Sequence, residues 1–152
     1  MRLFLDTEFI DLKPGANLIS IALVDENEDF FYAEIIDTYT TADCSDFVKV
    51  NVLPYLKGDP YRMTWAKCAA EIKLWIEKRN VRCCIANDNP GWDTPYLKQM
   101  FKQVGFPQNL ESMICPIFVP EKEAQNLYVS GNLNIHNALD DAIVMKRYII
   151  DK

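Results

Sequence analysis

Four acids and the single histidine of this 152-residue chain stand at spacings that could do chemistry. Asp6 and Glu8 sit two positions apart inside the otherwise apolar run Phe4-Leu5-Asp6-Thr7-Glu8-Phe9-Ile10. In a strand, residues i and i+2 project to the same face, so the two carboxylates share one patch while Leu5, Thr7 and Phe9 point the other way. Crowded like charges are costly unless a cation bridges them or one acid keeps its proton. The pair therefore points to a divalent-metal site; the bland alternative is an edge strand with both acids in water. His136 lies just before the last apolar-periodic segment. If Asn137 caps that helix, Asp140 falls at N3 and Asp141 at N4, where negative charge suits the helix dipole. His136 is then N′, the neighbour of N4, and it meets Asp141 at the helix entrance.

The elements that must hold these groups follow from periodicity and turn chemistry. The run Phe4–Ile10 is a first strand, Leu18–Val24 a well-buried second and Phe30–Ile36 a third. Pro14-Gly15 and the polar Asp25–Asp29 mark short turns between them, so the three form an antiparallel meander. Asp46 is expected to cap a short helix running to about Leu53, with Pro54 near its end. From Thr64 the pattern is helical, with Trp65, Cys68, Ala69, Ile72, Trp75 and Ile76 on one stripe. Val81–Ala86 follows as a buried strand parallel to the first. A second long helix carries Tyr96, Leu97, Met100, Phe101 and Val104 inward and stops at Gly105. Two registers fit its start, Asn89 with Pro90 or Thr94 with Pro95. In either one, Asp93 lies at the helix's N-terminal end, just beyond a strand. Met113–Val119 reads as a fifth strand at the sheet's edge because of Pro116. Residues 120–134 read as an irregular mobile loop. The last helix spans Ala138–Ile150, with Leu139, Ala142, Ile143, the Lys146 stem and Ile150 inward.

Composition limits the classes. One domain of residues 1–152 is long enough to bury a real core, and 49% apolar residues exclude disorder. No run of about eighteen apolar residues or signal peptide is present, so a soluble, cytoplasmic protein without membrane association is expected. The five cysteines have no Cys-x-x-Cys spacing, which argues for reduced thiols, with Cys44 a candidate exposed one. A net charge of −6 ordinarily counts against nucleic acid. Acids that bind cations weaken that objection, since each divalent ion adds two positive charges where a phosphate would sit.

Asp6-x-Glu8 in the first strand, Asp93 within Asn89-Pro-Gly-Trp-Asp93-Thr-Pro-Tyr-Leu97, and His136 ahead of Asp141 resemble, in order, the three motifs of DEDDh-type 3′-5′ exonucleases. With Asn51-Val-Leu-Pro-Tyr-Leu56 and the compact size, the chain is most similar to a small bacterial and phage exoribonuclease subfamily. The resemblance covers essentially the whole chain and implies an α/β, RNase H-like fold: a five-stranded mixed sheet, three antiparallel strands then parallel ones, with helices on both faces. It implies that Asp6, Glu8, Asp93 and Asp141 hold two Mg²⁺ or Mn²⁺ ions. Carboxylate oxygens suit such hard cations, and an ion pair about 4 Å apart can serve both the attacking water and the departing oxygen. His136 would take the proton from that water. The implied activity is removal of nucleoside 5′-monophosphates from RNA 3′ ends, single-stranded or overhanging. A DNA exonuclease is the nearest alternative, and a catalytically silent nucleic-acid-binding domain is the alternative of another class. Phe9 and Ile10 stand where the family contacts the terminal base and ribose; core packing explains Phe9 equally well. Trp92 is read as packing. Asp88 and Asp140 are read as caps or supporting groups, with Asp140 the substitute for Asp141 if the last motif is shifted by one. A homodimer that completes the substrate groove is compatible with so small a chain.

Overall fold

The computed structural model describes residues 1–151. Strands β1 (Arg2–Phe9), β2 (Leu18–Asp25) and β3 (Phe30–Ile35) form the expected antiparallel meander. Its tight links have local causes. Gly15 takes φ +75°, and the Asp25 carboxylate accepts from the Asn27 and Asp29 amides at 2.8 and 3.0 Å, closing the β2–β3 turn. Beyond the meander, β4 (Arg62–Met63) runs parallel to β3, β5 (Cys83–Asn87) parallel to β1, and β6 (Leu110–Pro116) parallel to β5. The order is β4-β3-β2-β1-β5-β6. The α/β mixed sheet thus has six strands where five were expected. The additional one is two residues long and has no periodicity to read. β6 is the predicted edge strand, but it starts earlier and ends at Pro116, the residue that cannot donate to a further ladder bond.

Helices α1 (Asp46–Asn51), α2 (Trp65–Glu77), α3 (Pro90–Val104), α4 (Glu121–Gly131) and α5 (Ala138–Ile150) complete the chain. Ser45, not Asp46, caps α1 by accepting from the Val48 amide at 3.3 Å, and Pro54 falls in the 3₁₀ turn that follows. Thr64 caps α2. α3 takes the Asn89–Pro90 register and continues through Pro95. α4 replaces the expected loop over 120–134. Its residues are at most partly buried, so its apolar stripe is too thin to stand out in sequence, and packing against α5 supports it.

The alternation along β1 decides where the acids go. Leu3 and Leu5 join Ile21, Leu23, Ile72, Ile76, Leu97 and Phe101 in the core beneath α2 and α3. Phe4 points to the other face and packs with Ala22, Val24, Ala86 and α5's Leu139, Ala142 and Met145. Each such fully buried side chain contributes about 1.5–3 kcal/mol. Asp6 and Glu8 continue the Phe4 face toward α5. A third cluster of Ile10, Ile19, Cys44, Val48 and Val52 fixes α1 beside the end of β1. Cys44 is therefore buried instead of exposed, and the five cysteines are free thiols. On α5, Met145 is buried against the sheet and Val144 is buried as well, while Ile143 and Ile150 of the expected stripe are only partly buried. Among the described residues no helix is long and apolar enough to cross a membrane.

Candidate active site

Small partners on β2 make room for the two strand acids. Asp6 lies opposite Ala22 and Glu8 opposite Ser20. Asp93 arrives from the first turn of α3, beyond the C-terminal end of β5. Thr7, on the other face of β1, donates its hydroxyl to Asp93 Oδ1 at 2.6 Å, and Asn87 Nδ2 approaches Oδ2 at 3.3 Å. Asp93 is almost wholly buried, and these two donors fix its rotamer.

The remaining acid and the histidine come from the start of α5, which is anchored unusually well. Asn137 caps it, accepting from the Asp140 amide at 3.3 Å. Its Nδ2 reaches the Tyr55 carbonyl at 2.9 Å and the Tyr32 hydroxyl at 3.4 Å. Tyr32 in turn donates to buried Glu34 at 2.8 Å, which also accepts from the Lys57 and Gly58 amides. Asp140 accepts from the Asn134 amide at 2.9 Å and pairs with Lys57 at 3.5 Å. It is bound up in this anchor and does not line the cleft. Asp141 is the acid that faces β1, with Tyr128 of α4 donating to its Oδ1 at 2.6 Å. His136 adopts φ +64°, which turns it back over the helix entrance with its ring edge-on to Phe47 at 5.1 Å.

The expected meeting of His136 and Asp141 is observed, and Glu8 joins them. One ligand atom from each of these three lies within 4.8 Å of the others, and the same holds for Asp6, Asp88 and Asp93. All six side chains line one cleft of about 690 Å³, walled by Phe9, Leu12, Phe47, Val48 and Trp92.

Burial and mutual repulsion dominate the electrostatics. Asp6 is pushed well above the ordinary carboxylate range, first by burial and then by Asp141, Asp93 and Glu8. Burial, with Asp141 and Asp93, lifts Glu8 to about 9. Asp93 and Asp141 are each raised to about 7 by burial, against the pull of the Thr7 and Tyr128 hydroxyls respectively. Burial lowers His136, which favours the neutral imidazole that a proton acceptor needs. A site that resists ionising so many acids is one that cations would relieve. The donor set fits hard divalent ions. Asp6 Oδ2 is buried without any hydrogen-bond partner, an acceptor left free for such an ion.

The expected substrate contacts divide. Phe9 packs on the core and stacks on Trp92 and Tyr96 with ring centroids 5.7 and 6.0 Å apart, and it also lines the cleft. The Ile10 side chain is a correction. It is 7% exposed, sits in the third apolar cluster and does not line the cleft. β1 ends at Phe9, so Ile10 already lies in the bend beyond it, where it packs with Ile19, the extra residue that β2 carries opposite Glu8 and Phe9. Sequence reasoning missed Thr7, Tyr128 and Phe47, and it set Asp88 aside. Only Asp88 carried a signal, its nearness to Asp93 at the end of a strand. The other three reach the site through tertiary packing.

No family model matches the sequence, and no curated protein matches it. Solved structures do. The zinc-bound complex of E. coli exonuclease I with single-stranded DNA aligns with a TM-score of 0.59 at 15% identity, over 98% of this chain and 39% of that one. The fold is similar to that of exonuclease I. Its complex with a dA16 oligonucleotide gives 0.59 at 14% identity, over 98% and 40%. Its complex with a 5cy-dA13 oligonucleotide gives 0.57 at 16%, over 97% and 39%. This chain therefore spans about two fifths of the exonuclease I chain, and the likeness at this identity is one of architecture.

Proposed function

We propose that this chain is a divalent-metal-dependent 3′-5′ exonuclease of the DEDDh type, acting on RNA 3′ ends and releasing nucleoside 5′-monophosphates. The observation that carries this reading is the convergence of Asp6, Glu8, Asp93 and Asp141, from three separate elements, on one cleft that also holds His136. Two Mg²⁺ or Mn²⁺ ions held by these four acids would supply the Lewis-acid chemistry and offset the phosphate's charge. Asp88 adds an oxygen beside Asp6 and Asp93. His136 accepts the proton of the attacking water, and Asp141 and Glu8 beside it stabilise the imidazolium that results. Phe9, stiffened by Trp92 and Tyr96, offers its free side to the terminal base; stacking of this kind tolerates any base.

Preference for RNA rests on the resemblance to the exoribonuclease subfamily. A DNA substrate has its own support, in the DNA oligonucleotides bound by the exonuclease I structures of similar fold. A silent binding domain would not need all five positions filled. Labelled single-stranded and 3′-overhang RNA and DNA, incubated with Mg²⁺, Mn²⁺ or EDTA, test the reading. Expected is metal-dependent shortening from the 3′ end, faster on RNA and abolished in Asp6→Ala. No metal-dependent loss of 3′ nucleotides from any substrate would overturn it.

A further inference from the structure

We infer that Tyr128 is a positioning residue for the metal-binding carboxylates: its hydroxyl holds Asp141 in the rotamer that faces Glu8 and His136. The inference rests on the reading of Asp141 as a metal ligand. Tyr128 lies on α4, outside every motif the sequence offers. Its hydroxyl donates to Asp141 Oδ1 at 2.6 Å across 13 residues of chain. Asp141 belongs to the triad with Glu8 and His136 whose ligand atoms lie within 4.8 Å of one another. With one oxygen engaged by the tyrosine, the carboxylate plane is set.

The His136 backbone also bonds the Asp141 carboxylate, and the tyrosine is the donor that holds it from the α4 side. A gap of about 110 Å³ lies behind it, bordered by Ala124, Tyr128, Val144 and Met145, and both Asp6 and Asp88 open onto it. An aspartate without the tyrosine could swing back toward that gap and away from Glu8. The hydroxyl closes that route. It is a partner of the kind that orients a metal-binding carboxylate, and loss of such a partner typically weakens metal affinity by about 10–100-fold. The link from α4 to α5 is tied down separately, through Asn134, whose amide and Nδ2 donate to Asp140 Oδ2 at 2.9 and 3.2 Å. The two contacts on neighbouring acids separate two roles. Asn134 seats the link between the helices, and Tyr128 aims the ligand.

The test is isothermal titration of Mn²⁺ into the full chain, comparing wild type, Tyr128→Phe and Asn134→Ala, each checked for folding by circular dichroism. Tyr128→Phe keeps the ring and its packing and removes only the donor. The expected result is Mn²⁺ binding about 10–100-fold weaker in Tyr128→Phe and unchanged in Asn134→Ala, with thermal stability falling in the latter. Unchanged or tighter binding in Tyr128→Phe would overturn the inference, as would equal weakening in both variants, which would assign the effect to the seating of the α4–α5 link. Failure of the wild type to bind Mn²⁺ would instead overturn the metal-dependent function itself.

Discussion

Asp141→Asn should make the metal-free protein more stable above neutral pH and less responsive to divalent cations. The folded chain raises Asp141 from an ordinary 3.8 to about 7, mainly through burial. Between those values the folded state holds a proton that the unfolded state has released, so stability is greatest on the acid side and is lost as pH rises toward 7. Over the rise from pH 5 to 8, at about 1.4 kcal/mol for each pH unit in which that proton is retained, the loss amounts to roughly 2–3 kcal/mol from Asp141 alone. For a chain of this size that corresponds to a fall in Tm of about 4–10 °C. Asparagine matches the protonated acid in shape and charge, and its Oδ1 can still accept from Tyr128. Asp141 is also the neighbouring charge that acts most strongly on Asp6 and on Glu8, so the variant relieves them too. His136 pulls the other way, since a lowered pKa costs stability as pH falls; it is common to both proteins and cancels in their difference. Scanning calorimetry in EDTA across pH 5–8 gives the comparison. At pH 8, Mg²⁺ at about a hundredfold excess over its Kd should restore roughly 2.7 kcal/mol to wild type and much less to the variant. Equal pH slopes for the two proteins in EDTA would refute the reasoning.

His136→Ala should slow 3′ hydrolysis by about 10²–10⁴-fold while Mn²⁺ binding stays nearly intact; single-turnover kinetics beside calorimetric titration separates the two, and full retained activity would return His136 to a structural role. Phe9→Ala should raise KM by about 10–100-fold with kcat little changed, as loss of a stacking surface worth roughly 1–3 kcal/mol per base predicts; a fall in kcat alone would contradict it. Asn137→Ala removes the cap of α5 and its bonds to Tyr55 and Tyr32. It should cost about 2 kcal/mol, lower Tm by roughly 4–8 °C and reduce activity through His136 and Asp141; an unchanged melting curve would show that the anchor is redundant.

Local rules carried a large part of the structure. The period-two pattern of β1 set Asp6 and Glu8 on one face, and the cap chemistry of Asn137 set His136 against Asp141; both depend only on residues close in sequence. The same is true of the meander, whose turns are closed by Gly15 and Asp25, and of α2 and α5, whose apolar stripes are wide. Reading failed where stability comes from a partner. β4 is a strand only because Glu34 and Ile35 lie beside Arg62 and Met63, and α4 is a helix only because α5 lies beneath it. β1 stops at Phe9, opposite a β2 bulge at Ile19, so Ile10 turns into the third apolar cluster, and no residue type there announced it.

The chain's linear order thus brought Asp6, Glu8, Asp93, His136 and Asp141 to one cleft, because each is placed by its own strand or helix terminus. Tertiary structure alone decided what holds them. Thr7 reaches Asp93 across 86 residues and Tyr128 reaches Asp141 from a neighbouring helix. Such contacts arise from how the sheet and its two helical layers close around the end of β1, and side-chain spacing along the chain carries no record of that closure.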